Sequence, residues 1–369
     1  MTKALALSYG LILIIASFSI GQPISVPACD SGEPCVEFTS VPPYNSSENL
    51  EGRVGNLADP TAYKVCTYIR VEGVWFVKPD VQAPCVPIQA DGRWEADITA
   101  PDSNDPQALE ITSFLLPQAD VPEQNNGHCR LPDSLSVYPR AMADRTGERR
   151  SVFFSSREWK VKDVYWGPGP NHFSDHAENV EVDEQGQLHL RITERDGRWF
   201  SAEVVSRDVM GYGTYIFSLA SRVDQLDKNV VFGLFTWDSD ACNSPAEDAM
   251  PFNNEIDIEF SRFGQLDAQN SQYAVQPYQT CDLFRFNMPE IANSTHIIDW
   301  QPGRIRFVSL QGANIIESHD FTDVTCMPTP LNGNTRMNLW LLNSEPPSNG
   351  QSAEVIIRDF IYIPMHIEN

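Results

Sequence analysis

The chain has 369 residues, of which 41% are hydrophobic and 21% charged, and its formal net charge is −24. A chain of more than about 300 residues normally divides into domains, and this composition is typical of globular proteins. The large negative charge argues against nucleic acid or an anionic membrane as a partner, because binding to either depends on Lys and Arg.

Residues 1–21 have the three-part layout of a secretory signal. Lys3 precedes an apolar run, and the small residues Ser19 and Gly21 stand three and one positions before a cleavage site at Gln22. The alternative is a membrane anchor, but the apolar run is short for a full span. We therefore expect a secreted, monomeric protein that has no membrane contact once the signal is removed.

The cysteines also indicate export. All 8 follow the signal segment, and an even number in an exported chain favours disulfides. Five precede residue 150 and three follow it, so either one disulfide joins the two halves or two thiols stay free. No C-x-x-C pair occurs, which argues against a structural zinc site. We predict no cofactor and no metal site, although structural calcium at an acidic strand stays open.

The first half of the chain divides by composition. Residues 22–50 are rich in Pro, Ser and acidic residues, which predicts an N-terminal extension or linker. Residues 51–135 contain short runs of β-branched and aromatic residues between turns, which indicates a small accessory β-sandwich. This rhythm is lost across residues 117–150, and we place the domain boundary there. The predicted strands are Val65–Val71, Val74–Val77, Trp94–Thr99 and Glu110–Leu116.

The second half, residues 150–366, returns to strands and turns, with no convincing helix and no internal repeat. Its strands alternate apolar and polar side chains, as half-buried strands do. We therefore predict a large two-sheet sandwich and an all-β chain. The predicted strands are Glu181–Asp183, Leu188–Ile192, Tyr212–Leu219, Val230–Trp237, Ile256–Phe260, Ile305–Leu310 and Val355–Ile363.

The sharpest motif is Asn-Glu-Ile-Asp-Ile-Glu-Phe at residues 254–260. Strand side chains alternate between faces, so Glu255, Asp257 and Glu259 share one face and the apolar residues share the other. Repulsion among three carboxylates raises at least one pKa, which keeps a proton available near neutral pH. A glycosidase needs this division into an ionised nucleophile and a protonated acid. The alternatives are a solvated strand face or a calcium site.

The motif resembles the signature strand of glycoside hydrolase family 16, and in particular that of its bacterial lichenases. The similarity covers roughly residues 150–364 and extends to further segments in the order found in the family. These segments are Ser201–Ser206 with Gly211–Tyr215, Gly233–Trp237, His296–Arg306 and Met337–Trp340. The first half resembles small β-sandwich modules of bacterial exported proteins.

The resemblance implies roles for the three acids. Glu255 matches the nucleophile, Asp257 the assisting acid and Glu259 the general acid/base of a retaining enzyme. One residue separates Asp257 from Glu259, as in lichenases and xyloglucan transferases, whereas laminarinases have an extra residue there. The implied fold is a curved, concanavalin A-like jelly roll that binds a polysaccharide across its concave face.

The resemblance also implies that Asn179, Glu203, Phe235 and Trp237 line the sugar cleft. Each has an alternative that the residues alone leave open. Phe235 and Trp237 share a strand face and could both belong to the core, and Asn179 could be a plain turn residue. We expect Trp340 in the core rather than in the cleft.

Two positions differ from lichenases. Val205 stands where they carry Arg, and Asn253 stands where they carry Trp, so the glucan linkage does not follow from the resemblance. The segment 238–251 is an insertion that we expect to reshape one end of the cleft. The expected function is a secreted, retaining, endo-acting hydrolase of β-1,3/1,4-type glucan. The alternatives are a transglycosylase on the same scaffold and a carbohydrate-binding protein without turnover.

Overall fold

The computed structural model confirms the predicted all-β class. The part of the chain that it describes consists of β-strands, short 3₁₀ turns and connecting loops. Within that part, no helix is long and apolar enough to cross a membrane. The predicted signal segment lies outside it. The structure describes Cys29 and residues 32–101, 103–123, 126–239 and 252–365.

Two antiparallel sheets form the N-terminal sandwich. Its strands are β1 (Cys35–Ser40), β2 (Leu50–Gly55), β3 (Tyr63–Val71), β4 (Val74–Lys78), β5 (Cys85–Pro87), β6 (Arg93–Ala96), β7 (Glu110–Pro117), β8 (Asn126–His128) and β9 (Arg140–Asp144). The first sheet has the order β1-β2-β6, and the second has the order β8-β4-β3-β7-β9 with β5 paired to β3. Apolar residues of both sheets pack into one core.

Five of these strands, β1, β2, β5, β8 and β9, lie where the sequence predicts none. β1 falls inside the segment predicted as extension or linker, and β9 falls inside the predicted boundary segment. β1 is stabilised by pairing with β2 and by the edge-on contact of Phe38 with Trp94, at 6.0 Å between ring centroids. β9 carries two alanines and charged ends, so its pairing with β7 decides its conformation, whereas its own propensity does not.

Two larger sheets form the C-terminal sandwich. Its strands are β10 (Ser151–Phe154), β11 (Arg157–Val161), β12 (Tyr165–Trp166), β13 (Asn171–His172), β14 (Val180–Val182), β15 (Leu188–Arg195), β16 (Arg198–Phe200), β17 (Ala202–Ser206), β18 (Gly213–Leu219), β19 (Val230–Trp237), β20 (Ile256–Phe260), β21 (Ser271–Val275), β22 (Asp282–Phe286), β23 (Ser294–Gln301), β24 (Arg304–Gln311), β25 (Asn314–Phe321), β26 (Asn334–Leu341) and β27 (Ala353–Pro364). The 3₁₀ turns within the described residues are Pro60–Ala62, Asp105–Gln107, Asp133–Val137, Thr146–Glu148, Val223–Gln225, Phe252–Asn254 and Leu342–Ser344.

One sheet of this sandwich, which we call the cleft sheet, has the order β10-β11-β17-β26-β19-β20-β21-β22. The other, the back sheet, has the order β14-β15-β27-β18-β23-β24-β25, with β16 paired to β15. The main core lies between them. β20 contributes Ile256, Ile258 and Phe260 to that core, all with 0% exposure, so its other side chains point out of the sandwich.

The two sandwiches pack directly against each other at the start of the C-terminal one. Val164 belongs to the core cluster of the N-terminal sandwich, although it lies beyond residue 150. Phe76 of β4 meets Trp166 of β12 edge-on, with 6.5 Å between ring centroids. The Tyr44 hydroxyl donates a hydrogen bond of 2.8 Å to the Asp163 carbonyl oxygen. Apolar and polar contacts therefore both hold the N-terminal sandwich in place.

Each half of the chain contains disulfides, as the cysteine number predicts. Cys242, on which the prediction of a bridge between the halves depends, lies outside the described residues. The pairs within the described residues are Cys29–Cys35, Cys66–Cys85 and Cys281–Cys326.

Candidate active site

The three predicted carboxylates come together on the outer face of the cleft sheet. Glu255 immediately precedes β20, and Asp257 and Glu259 lie on it at alternate positions. All three line one cavity. Asp257 is 3% exposed, and the other two are half-buried. The apolar face of β20 explains the arrangement, because its burial in the core leaves no other direction for the acids.

Burial raises the pKa of each carboxyl in this group. Burial and then repulsion from Asp257 and Glu259 raise the pKa of Glu255 well above its usual range, and Asp257 behaves similarly. Burial raises the pKa of Glu259 from 4.5 to about 7, with Gln272 and Arg285 opposing the rise. Glu255 and Asp257 also share a hydrogen bond, so this pair can hold a proton between them.

Two glutamines of neighbouring β21 and its following loop bind the acids. The Gln272 amide donates a hydrogen bond of 2.6 Å to Glu259 Oε2, and Arg285 in turn donates one of 2.9 Å to Gln272 Oε1. The Gln276 amide donates a bond of 2.9 Å to Asp257 Oδ2. These neutral donors orient the carboxyls without supplying a full countercharge, so the raised pKa values persist.

The cavity has a volume of about 300 Å³, at the lower end of the range for ligand pockets. Phe235, Trp237 and Trp340 supply aromatic walls. Two of these were predicted for the cleft. Trp340 was expected in the core, but it is half-buried and faces the cavity because it shares a face of β26 with Arg336 and Asn338.

Strand register places the aromatic residues beside the acids. Phe235 of β19 lies opposite Asp257 on one side and opposite Arg336 of β26 on the other. Trp237 continues the same face, and the Arg336 guanidinium lies 5.3 Å from its ring centroid. Aromatic faces of this kind stack on the apolar faces of sugar rings, and Trp237 is half-exposed and available for such contact.

Asn338 presents an unsatisfied amide oxygen to the cavity. Its side chain is 3% exposed, yet Oδ1 accepts no hydrogen bond from the described residues. Gly233, opposite it on β19, makes room for this oxygen, since a Cβ there would lie 2.6 Å from Oδ1. A buried polar atom without a partner is costly, so Asn338 is suited to bind a ligand hydroxyl.

Glu203 of β17 lies in the same cavity but is fully buried and ion-paired. Its Oε2 is 3.0 Å from Lys162 Nζ and its Oε1 is 3.1 Å from Arg336 Nη1. Arg336 lies directly opposite Val205 on the neighbouring strand. A guanidinium therefore reaches this part of the cleft from β26, although Val205 stands at the position where lichenases carry Arg.

Asn179 lies outside the set of residues that line the cavity. It precedes β14 at the edge of the back sheet, with 0% exposure. Its amide nitrogen donates to the carbonyl oxygens of Arg191 and Phe200, and its amide oxygen accepts a bond of 2.6 Å from Arg195. Both its amide nitrogen and its amide oxygen are bonded within the sheet edge, so the structure gives no support to its prediction as a cleft residue.

Several residues of the site were not found from the sequence. Arg336, Gln276 and Lys162 all line the cavity. Arg336 could have been found, because it shares a strand face with two residues of the Met337–Trp340 segment. No such pattern marks Lys162, which directly follows β11 and joins the site through its ion pair with Glu203. Among the described residues, no group of three or more His, Cys, Asp or Glu is arranged to hold a metal ion.

Comparison with known proteins gives sequence and fold relatives. No protein-family model matches the chain. A β-glucanase of Paenibacillus macerans is 27% identical over 191 residues, which is 51% of this chain and 73% of that protein. A Bacillus licheniformis β-glucanase structure superposes with a TM-score of 0.41 at 20% identity, covering 56% of this chain and 92% of the other. A Bacteroides ovatus family 16 protein in complex with a mixed-linkage glucan product has a TM-score of 0.45 at 14% identity, covering 57% and 97%.

The sequence match confirms the predicted resemblance to β-glucanases over about half of the chain. The resemblance of the N-terminal sandwich to accessory modules stays a prediction.

Proposed function

Proceeding from this resemblance to β-glucanases, we propose that the chain is a secreted, retaining, endo-acting hydrolase of β-1,3/1,4-type glucan. The observation that carries the proposal is the group of three carboxyls on one face of β20. They line one cavity, with Asp257 buried and the two glutamates half-buried, and the pKa of Glu259 rises to about 7. A carboxyl with that pKa can donate a proton near neutral pH and accept it again.

The first step uses Glu259 as acid and Glu255 as nucleophile. Glu259 protonates the oxygen of the scissile glycosidic bond, and the bond between that oxygen and the anomeric carbon breaks. The Glu255 carboxylate attacks the same carbon and forms a covalent glycosyl ester. Burial and the neighbouring acids raise the pKa of Glu255, and Arg336 opposes that rise and so favours the attacking, ionised form.

The second step releases the sugar. Glu259, now ionised, removes a proton from water as the water oxygen attacks the anomeric carbon. The ester bond to Glu255 breaks, and two inversions together retain the configuration. Asp257 supports both steps, because its hydrogen bond to Glu255 lets it take the proton of the pair when Glu255 must be ionised.

Three cavity residues suit a glucan chain as ligand. Trp237 offers a half-exposed ring, and Phe235 lies between it and the acids. Asn338 offers an unsatisfied amide oxygen for a sugar hydroxyl. Aromatic stacking with a few converging polar groups is the usual composition of a small-ligand site.

Azide rescue tests the mechanism. Glu259→Ala should still form the glycosyl ester with an activated aryl β-glucoside, whose leaving group needs no proton. Azide should then attack the ester without base assistance and give a β-glycosyl azide, identified by NMR. Glu255→Ala should lose the ester, and azide in the vacated space should give the α-azide.

Each outcome bears on a different part of the proposal. Swapped azide products would exchange the roles of Glu255 and Glu259. An inverted product from the unmodified protein would contradict the retaining mechanism. Absence of new reducing ends from every β-glucan tested would contradict the activity itself.

A further inference from the structure

The tip of the β3–β4 hairpin belongs to the N-terminal sandwich, yet it lies in the active-site cavity. Val71 pairs with Val74, so Glu72 and Gly73 form a two-residue turn. Both have positive φ angles, 47° and 88°. A turn with two positive φ angles favours Asn, Asp or Gly, and a glutamate in the first position is strained. A strained residue of this kind often marks a functional position.

The Glu72 side chain is held by cations of the C-terminal sandwich and the connecting segment. It is 5% exposed, and it forms an ion pair with Arg149, whose side chain is 6% exposed. Its other oxygen lies 4.0 Å from Lys162 Nζ, and Lys162 in turn contacts Glu203 at 3.0 Å. Glu72 is therefore fixed at the β11–β17 end of the cleft sheet.

Glu72 and the three carboxylates line the same cavity. Register places Glu259, Gly233, Asn338 and Glu203 opposite one another across four neighbouring strands. A glucan chain that follows this row away from the acids meets Lys162 and then Glu72. The hairpin tip stands across that path.

The hairpin and a neighbouring loop of its sandwich both contact the start of the C-terminal sandwich. Phe76, in the middle of β4, meets Trp166 edge-on, and Trp166 also lines the cavity. The Asn104 amide donates a bond of 2.6 Å to the Tyr165 carbonyl oxygen. On the other side of the tip, a Cβ on Gly73 would lie 2.9 Å from the Cβ of Ser239, so only glycine fits there.

We propose that the β3–β4 hairpin forms the end wall of the glucan cleft, with Glu72 as the residue that limits how many glucose units bind on that side of the scissile bond. The wall makes the N-terminal sandwich a determinant of product length. This inference rests on the proposed β-glucanase activity and adds a contribution from a domain outside the catalytic sandwich.

The unmodified protein provides the first test. Two series of β-1,3/1,4-gluco-oligosaccharides are compared, one lengthened unit by unit at the non-reducing end and the other at the reducing end. For the series that grows toward the wall, kcat/KM should stop rising once the chain reaches it. For the other series, each added unit that finds a subsite should raise kcat/KM by about tenfold, as 1.4 kcal/mol of added binding does.

Glu72→Gly removes the side chain that closes the end of the cavity. It does not strain the turn, because glycine accepts a positive φ. In this variant, kcat/KM should rise again with added units in the walled series, and longer products should be released from the polymer. Glu72→Gln keeps the size of the side chain and should keep the parent product lengths. Glu110→Ala removes another ion-paired carboxylate of the same sandwich, paired to Arg70 at 2.9 Å, and should leave product lengths unchanged.

The results separate the two proposals. If the unmodified protein cleaves no glucan, the proposed function is overturned. Cleavage in which both oligosaccharide series keep gaining with length overturns the end wall and leaves the function intact. Identical product lengths from folded Glu72→Gly and the parent overturn the assignment to Glu72. Should Glu72→Gly fail to fold, the two series on the parent still decide the matter.

Discussion

Two buried glutamates of one cavity have opposite electrostatic environments. At the β20 end, Glu259 has two acids beside it and a neutral glutamine as its direct partner, and burial raises its pKa to about 7. At the β11–β17 end, burial would also raise the pKa of Glu72, but Arg149, Lys162 and Arg336 lower it to about 2.

The difference shows how one residue type serves two purposes. A buried carboxyl with a full countercharge stays ionised, and its ion pair serves to hold the surrounding residues in position. A buried carboxyl with only neutral donors keeps a proton near neutral pH, and so it can perform acid–base chemistry. The direct cationic partners are concentrated at the end of the cavity that holds the two sandwiches together.

The largest expected effect is on stability, at the ion-paired end. Glu72→Ala leaves Arg149 buried without its carboxylate, which should cost about 3–5 kcal/mol of unfolding free energy. Urea unfolding of the full chain at pH 7 measures this. The matched control is Glu110→Ala, whose carboxylate is 30% exposed and should contribute about 1 kcal/mol or less. Equal losses in the two variants would contradict the difference between a fully buried and a partly exposed ion pair.

At the acid-rich end, the free energy of unfolding should fall as pH rises. The folded pKa of Glu259 is raised from 4.5 to about 7, so its contribution to stability is present below pH 4.5 and is lost as pH rises through about 7. Glu259→Gln removes that loss. The variant should therefore gain on the parent as pH rises, by about 3 kcal/mol above pH 7, since one pKa unit is worth about 1.4 kcal/mol.

Thermal unfolding from pH 4 to 9 checks this expectation. Glu354→Gln is the control, because hydrogen bonds to His189 and Arg191 lower the pKa of Glu354 even though its burial would raise it. That variant should lose stability relative to the parent at high pH. Parallel pH curves for Glu259→Gln and the parent would show that the pKa of Glu259 is the same in the folded and unfolded protein, and would contradict the raised value.

The sequence predicts one end of the cavity far better than the other. Glu255, Asp257 and Glu259 lie on a single strand, where a period of two is enough to group them on one face. Most predicted strands are likewise confirmed, and β19 and β20 begin and end at the predicted residues. Local alternation carries this information, so no knowledge of the tertiary structure is needed.

The ion-paired end depends on contacts between distant parts of the chain. Glu72, Lys162 and Arg336 come from three separate strands or turns, and no local pattern connects a hairpin tip to a cleft in the other sandwich. For Asn179, likewise, the sequence does not predict the contacts that the side chain makes. Its position fits the resemblance, but its hydrogen bonds to Arg191, Arg195 and Phe200 are decided by strand packing at the sheet edge.

The smallest expected effect comes from placing a positive charge beside Glu259 while keeping its carboxyl. Gln272 is the residue to change, because it binds Glu259 directly and, as a neutral donor, opposes the rise in the Glu259 pKa without cancelling it. In Gln272→Lys an ammonium replaces the amide, and an opposite charge at that distance lowers a carboxyl pKa by about 1–3 units. Glu259 should then lose its proton at lower pH, so the alkaline limb of the kcat/KM profile on β-glucan should move down by about one unit.

Gln272→Met is the matched variant, and it should shift the pKa of Glu259 in the opposite direction. It removes the hydrogen bond that stabilises the ionised form of Glu259, so the alkaline limb should move upward. Arg285 donates to Gln272 in the parent, and both variants lose that acceptor, so a difference between them isolates the charge at position 272. Movement of the limb in opposite directions would support Glu259 as the acid whose proton the reaction needs. A limb that stays in place in both variants would assign the alkaline limb to another group.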